Sequence, residues 1–213
     1  MALLNDEIVK GVTEMLAGLD GDVRLAYFSN SQHCDYCPQI EQLLDEVAAT
    51  TNRVSVEKYE LYRDAEQAAA LNIDMAPAIA ILGKQDFGVR FFGIPSGYEF
   101  STLLHAIQRV AAGDSELDGA TKSYLADLNA DVQMQVFVTP TCPYCPRAAT
   151  LAIEMAIESP KVRAEIVESA EFPDLANRFS VMGVPLTVVN GQERVEGAAP
   201  PQMVVSAIQR ALA

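Results

Sequence analysis

The stretch SQHCDYCPQI at residues 31–40 recurs in outline as TPTCPYCPRA at 139–148. Each copy sets two cysteines two residues apart, with a tyrosine before the second and a proline directly after it. These four, Cys34, Cys37, Cys142 and Cys145, account for all the cysteines in 213 residues. Pro77 follows Cys34 by 43 residues, and Pro185 follows Cys142 by the same 43. Length alone admits one large domain or two of about 100 residues. A spacing this long occurring twice decides for two units built on one plan.

The rest of the sequence keeps the parallel. VRLAYFS and VQMQVFVT lead into the two cysteine pairs and read as strands, and PQIEQLLDEVAATT and PRAATLAIEMAIES follow with apolar residues at helical spacing. VSVEKYELY and VRAEIVE are the next strands, trailed by short helices in DAEQAAALN and FPDLANRFS. After each distant proline, an apolar run (AIAIL or LTVV) enters a Gly-containing turn and returns as VRFFG or RVEG. Both copies close on amphipathic helices that share the string AIQR. Strands joined by helical crossovers pair in parallel, and the final hairpin adds an antiparallel edge. The expectation is an α/β protein in which each unit has a mixed four-stranded sheet flanked by helices. Gly, Asp and Ser interrupt the helical patterns in AAGDSELDGATKS, residues 111–123, placing the units at 1–115 and 116–213.

Fifteen basic against 29 acidic residues give a formal charge of −14, with the basic residues scattered singly. Nucleic acid and anionic membranes are poor partners for such a chain, because binding them depends on a positive field. The first residues, MALLNDEIVKGV, do not read as a secretory leader, and no stretch approaches the roughly 18 apolar residues of a membrane span. A cytoplasmic protein is expected, where a Cys-x-x-Cys pair is more often catalytic or metal-binding than structural.

A cysteine attacks as its thiolate, and a helix N-terminus favours that form through its dipole and unpaired N–H groups. Both pairs stand at such a position, since Pro38 and Pro146 suit a first helical turn. The first sulfur, Cys34 or Cys142, then faces solvent as the attacker, with Cys37 or Cys145 behind it as the resolver. The competing reading is a structural zinc centre using all four thiolates. Against it, 105 residues separate the pairs, and each has its own strand, helix and distant proline.

With these motifs in place, the chain resembles the thioredoxin and glutaredoxin superfamily, and within it the two-unit, glutaredoxin-like protein disulfide oxidoreductases. CPYC at Cys142–Cys145 is the glutaredoxin-type tetrad, and the prolines of MAP and GVP, Pro77 and Pro185, match the cis-proline that borders the substrate groove in that family. The Trp-Cys-Gly-Pro-Cys pattern of thioredoxin proper is absent, as the chain has no tryptophan. The resemblance implies tandem thioredoxin folds that reduce, form or exchange protein disulfides. It further implies no cofactor or metal beyond the redox disulfides, and a thioredoxin-reductase-like flavoenzyme as electron donor. Related oxidoreductases use a buried carboxylate to take the proton of the resolving thiol. Glu57 and Glu165, each 23 residues after its first cysteine, are the candidates here, against the plainer reading of ordinary strand glutamates. His33 could favour the Cys34 thiolate, and Tyr36 and Tyr144 either touch substrate or pack on the helix. A non-catalytic peptide-binding scaffold is the alternative from another class, but it has no need for two intact cysteine pairs. CDYC carries an acid beside both sulfurs, so the C-terminal pair is expected to supply most of the reductase activity.

Overall fold

A computed structural model describes residues 2–32 and 34–213, so His33 lies outside the described residues. The first half runs α1 (Asp6–Leu16), β1 (Val23–Ser29), α2 (Cys37–Ala48), β2 (Val54–Glu60), α3 (Ala65–Ala70), β3 (Ala78–Leu82), β4 (Asp86–Phe92) and α4 (Tyr98–Ala112). The second half repeats that order as α5 (Gly119–Ala126), β5 (Val132–Val138), α6 (Cys145–Glu158), β6 (Val162–Glu168), α7 (Pro173–Arg178), β7 (Leu186–Val189), β8 (Glu193–Glu196) and α8 (Pro201–Ala211). Within each half, the strand before the cysteines pairs in parallel with the next strand and antiparallel with the strand after the distant proline.

The two four-stranded sheets are one. Strands lie in the order β2-β1-β3-β4-β6-β5-β7-β8, with β4 and β6 paired in parallel from Val89↔Ala164 to Phe92↔Val167. Alternation along the central strands sends side chains to two layers. On one face Leu25, Tyr27, Met134 and Val136 meet α1, α2, α4, α5, α6 and α8. On the other, Ala26, Phe28, Phe137 and Val167 meet the short helices α3 and α7. Burial on both faces explains why these strands read as nearly continuous apolar runs.

Helices α4 and α6 lie side by side over the seam. Glu154 of α6, 4% exposed, receives His105 Nε2 at 3.1 Å and Arg109 Nε at 3.4 Å from α4. At their N-terminal ends the Tyr98 N–H donates to the Pro140 carbonyl at 2.9 Å. Gly97 allows that approach: its φ is +58°, and a Cβ there would stand 2.2 Å from the Pro140 oxygen. No helix among the described residues is long and apolar enough to cross a membrane.

Candidate active site

Both cysteine pairs follow the C-terminal ends of parallel strands, β1 and β5, and so emerge on the same rim of the sheet. Four inter-strand steps of about 4.8 Å separate them, or about 19 Å. The four sulfurs therefore cannot share one tetrahedral metal, whose ligands lie within about 2.3 Å of it. Each pair is closed instead as its own disulfide, with Cα–Cα distances of 5.4 Å for Cys34–Cys37 and 5.5 Å for Cys142–Cys145.

The second cysteine of each pair opens a helix, with Pro38 or Pro146 in the first turn and, among the described residues, no side-chain capping bond from the N-cap tyrosine, Tyr36 or Tyr144. The helix-end N–H groups and dipole are thus left to the sulfurs. In the second half the expected gradient of shelter is present: Cys142 is 8% exposed and Cys145 0%. In the first half both cysteines are half-buried, and Cys34 lines a cleft. Tyr36 and Tyr144 are both exposed, at 44% and 69%, so they stand on the rim rather than in the core.

The peptide bonds Ala76–Pro77 and Val184–Pro185 are cis. Each proline carbonyl accepts a backbone N–H from the following strand's end, Gly93 for Pro77 and Gly197 for Pro185. Pro77 and Cys34 line one cleft of about 980 Å³. Its far wall belongs to the second half, through Pro140, Glu168 and Glu171, and Asp35 adds a further acid. Burial raises the Glu171 carboxyl to about 6, opposed by the hydrogen bond it accepts from the Ile94 N–H and reinforced by the charges of Glu168 and Asp35. Tyr27, buried beneath, donates its hydroxyl to the Cys37 carbonyl at 3.1 Å, and its pKa is pushed up by burial and by Glu41 and Glu171. In the second half Tyr144, between Cys142 and Cys145, is exposed, and Glu168 of β6 pairs in register with Val138 at the end of β5.

Glu57 and Glu165 are not brought to the sulfurs. Glu57 pairs in register with Ala26 and Glu165 with Gln135, on the layer of α3 and α7, whereas the cysteines join the opposite layer. Glu57 is held by Arg24 at 3.3 Å and Tyr59 at 2.7 Å. Glu165, 2% exposed, is held by Arg163 at 2.6 Å, Gln133 at 3.0 Å and Gln135 at 2.9 Å. Period-two alternation along β2 and β6 fixes this outcome, since residues one place from the Cys-facing positions turn to the other face. Three acids that do sit near the rim, Glu99, Glu168 and Glu171, belong to none of the sequence motifs. For Glu99 a signal existed: it heads the stripe Glu99, Leu103, Ala106 and Val110, buried throughout in α4.

Residues 132–209 match the thioredoxin domain family. The chain is 22% identical over 196 residues to an NADH dehydrogenase of Ferdinandcohnia aciditolerans, with 92% of this chain covered. It is 23% identical over 205 residues to an alkyl hydroperoxide reductase component of Staphylococcus aureus, with 96% covered. It spans only 35% and 37% of the lengths of these two curated relatives. Among solved structures, a protein disulfide oxidoreductase from Aeropyrum pernix superposes with a TM-score of 0.90 at 27% identity, covering 97% of this chain and 93% of that one. The N-terminal domain of the alkyl hydroperoxide reductase of Enterococcus faecalis does so at 0.88 and 22% identity, covering 96% and 99%. Residues 132–209 therefore carry a thioredoxin domain, and the chain as a whole folds as two thioredoxin folds in tandem, each with its Cys-x-x-Cys pair closed as a disulfide.

Proposed function

We propose that the chain is a cytoplasmic protein-disulfide oxidoreductase of two units, residues 1–115 and 116–213, acting on disulfides of other proteins. The observation that carries the reading is the doubled site: a Cys-x-x-Cys disulfide at an uncapped helix N-terminus, in the same unit as a cis-proline. In reduction, the Cys142 thiolate attacks a substrate disulfide and displaces one substrate sulfur as thiolate. Cys145 then attacks the mixed disulfide, releasing the second substrate sulfur and closing 142–145. Cys34 and Cys37 take the same roles in the first unit, and Pro77 and Pro185 border the bound substrate. The disulfides themselves are the redox groups, and no further cofactor is needed. The curated relatives hold a region like this one inside longer oxidoreductases, which supports a separate thioredoxin-reductase-like flavoenzyme as the electron donor here.

The C-terminal pair supplies most of the activity on general substrates. Asp35, Glu168 and Glu171 line the Cys34 cleft and disfavour a thiolate there. Insulin reduction under dithiothreitol tests the whole reading. Cys142→Ser/Cys145→Ser should lose most of the activity and Cys34→Ser/Cys37→Ser less, while Cys145→Ser should accumulate a mixed disulfide through Cys142. A chain that binds insulin without reducing it, in any form, is a scaffold instead.

A further inference from the structure

The cleft beside Cys34 is lined by three acids, Asp35, Glu168 and Glu171, and among the described residues by no lysine or arginine. Glu168 is 6% exposed, and one of its oxygens accepts the Glu171 N–H at 2.7 Å. Glu171 in turn accepts the Ile94 N–H. One N–H answers each carboxylate among the described residues, where a carboxylate has room for about four donors. No ion pair among the described residues ends on any of the three acids. A carboxylate buried as deeply as Glu168 is costly without a cation, and the cleft it borders has space for one.

Backbone contacts fix these acids beside the cis-proline. The Gly93 N–H donates to the Pro77 carbonyl at 3.0 Å, and a Cβ on Gly93 would stand 2.7 Å from both Glu168 Cβ and Glu171 Oε1. Two acidic side chains of the second unit therefore occupy the space next to the residue that holds Pro77 of the first. Asp35, between Cys34 and Cys37, is close enough for its charge to act on Glu171. The second unit is built differently. Gly197 makes the equivalent bond to Pro185, but a Cβ there would meet nothing within 4 Å. The hollow of about 370 Å³ at Pro185 is lined by one acid, Glu196, and one base, Arg194. Strand β8 ends the sheet, whereas β4 lies against β6 and receives that strand's carboxylates.

We propose that the Cys34 site selects disulfides flanked by arginine or lysine, the substrate's cation seating between Glu168 and Glu171 of the other unit. The inference rests on the exchange reading given above and names the substrate class of its first site. Empty, the three acids hold Cys34 toward its thiol form. A guanidinium offers five donors in a planar fork that two carboxylates can share, and it cancels the charge that suppresses the thiolate. A fitting substrate thus activates its own attacker. The Cys34 thiolate then attacks one substrate sulfur, a Cys34–substrate bond forms, and the substrate S–S bond breaks with its electron pair leaving on the other sulfur. Cys37 closes the reaction as before, and the ion pair contributes neither electrons nor protons.

The test uses the reduced full chain with Cys142→Ser/Cys145→Ser, in which Cys34 and Cys37 are the cysteines left. Its control is Cys34→Ser/Cys37→Ser, which has the same net charge and so the same long-range attraction for basic chains. The substrates are three peptides with one internal disulfide each, identical save for two flanking positions carrying arginine, glutamine or glutamate. Reduction is followed by chromatography of acid-quenched samples. Cys34 should reduce the arginine peptide roughly tenfold faster than the glutamine peptide, as one charge-assisted contact provides, with the glutamate peptide slowest. At Cys142 the three should fall within about threefold, because exposed charges there act through screening solvent. Glu168→Gln/Glu171→Gln should bring the three rates at Cys34 together. Glu171→Lys, a second variant should that one not fold, should reverse their order. Equal rates for the arginine and glutamate peptides at Cys34 overturn the proposal, as does the same ranking at both pairs or a preference that survives both variants. Reduction at Cys142 with none of the arginine peptide at Cys34 overturns it too. If neither pair reduces any peptide, the exchange reading itself fails.

Discussion

Glu171 is tied to the backbone of Ile94 and at the same time lines the cleft of Cys34. Its carboxyl ionises as pH rises through about 6, adding negative charge beside a sulfur that must itself become negative. In the Cys142→Ser/Cys145→Ser chain, Glu171→Gln should speed alkylation of Cys34 by iodoacetamide at pH 7.5 by roughly threefold, and the gain should vanish below pH 5. An unchanged rate would place the carboxylate too far from the sulfur to matter. Glu99 makes a stability statement too. Burial raises its pKa from 4.5 to about 7, so the folded chain holds this proton more tightly than the unfolded chain does. Its contribution is therefore fully present below about pH 4.5 and lost as pH rises through 7. Glu99→Gln, which cannot ionise, should gain on the order of 2 kcal/mol over the wild type between pH 5 and pH 8 in urea unfolding.

Among the elements, α4 and α6 depend on how closely their first turns approach. Gly97→Ala adds a Cβ where the Pro140 carbonyl already stands and forces an alanine to a left-handed φ. It should cost roughly 2 kcal/mol or more in denaturant unfolding and disturb the Cys142 loop before the Cys34 loop. The elements themselves were legible in the sequence, because the repeat supplied two independent readings of each one. AIAIL and LTVV, for example, both became strands of the antiparallel hairpin. The cysteine positions at helix starts followed from Pro38 and Pro146. The carboxylates were not legible: Glu57 and Glu165 align perfectly in the repeat, yet strand alternation turns both away from the sulfurs. Glu168 and Glu171 matter to Cys34 only because β4 lies against β6, a contact between halves that no local pattern encodes.

At the scale of the molecule, a single sheet spans both halves, and the linker between α4 and α5 is short. The two disulfides consequently stay about 19 Å apart on the rim, too far for one pair to attack the other. Cys37→Ser/Cys145→Ser, oxidised slowly at low concentration, should yield no Cys34–Cys142 bond by mass spectrometry of the digested chain. Finding that bond in good yield would mean that the seam opens. Electrons that enter at one pair then reach the other only through a partner that visits both.

The parallel pairing of β4 with β6 also makes the chain a two-pronged fitting of fixed gauge. A partner whose reactive sulfurs are presented at a matching separation, once caught at one site, meets the other as a neighbour. For a short flexible tether the effective concentration of that second encounter is roughly millimolar. A partner with a single disulfide gains nothing from the arrangement. The width of the seam, set by strand spacing alone, fixes the separation that such a partner would have to match.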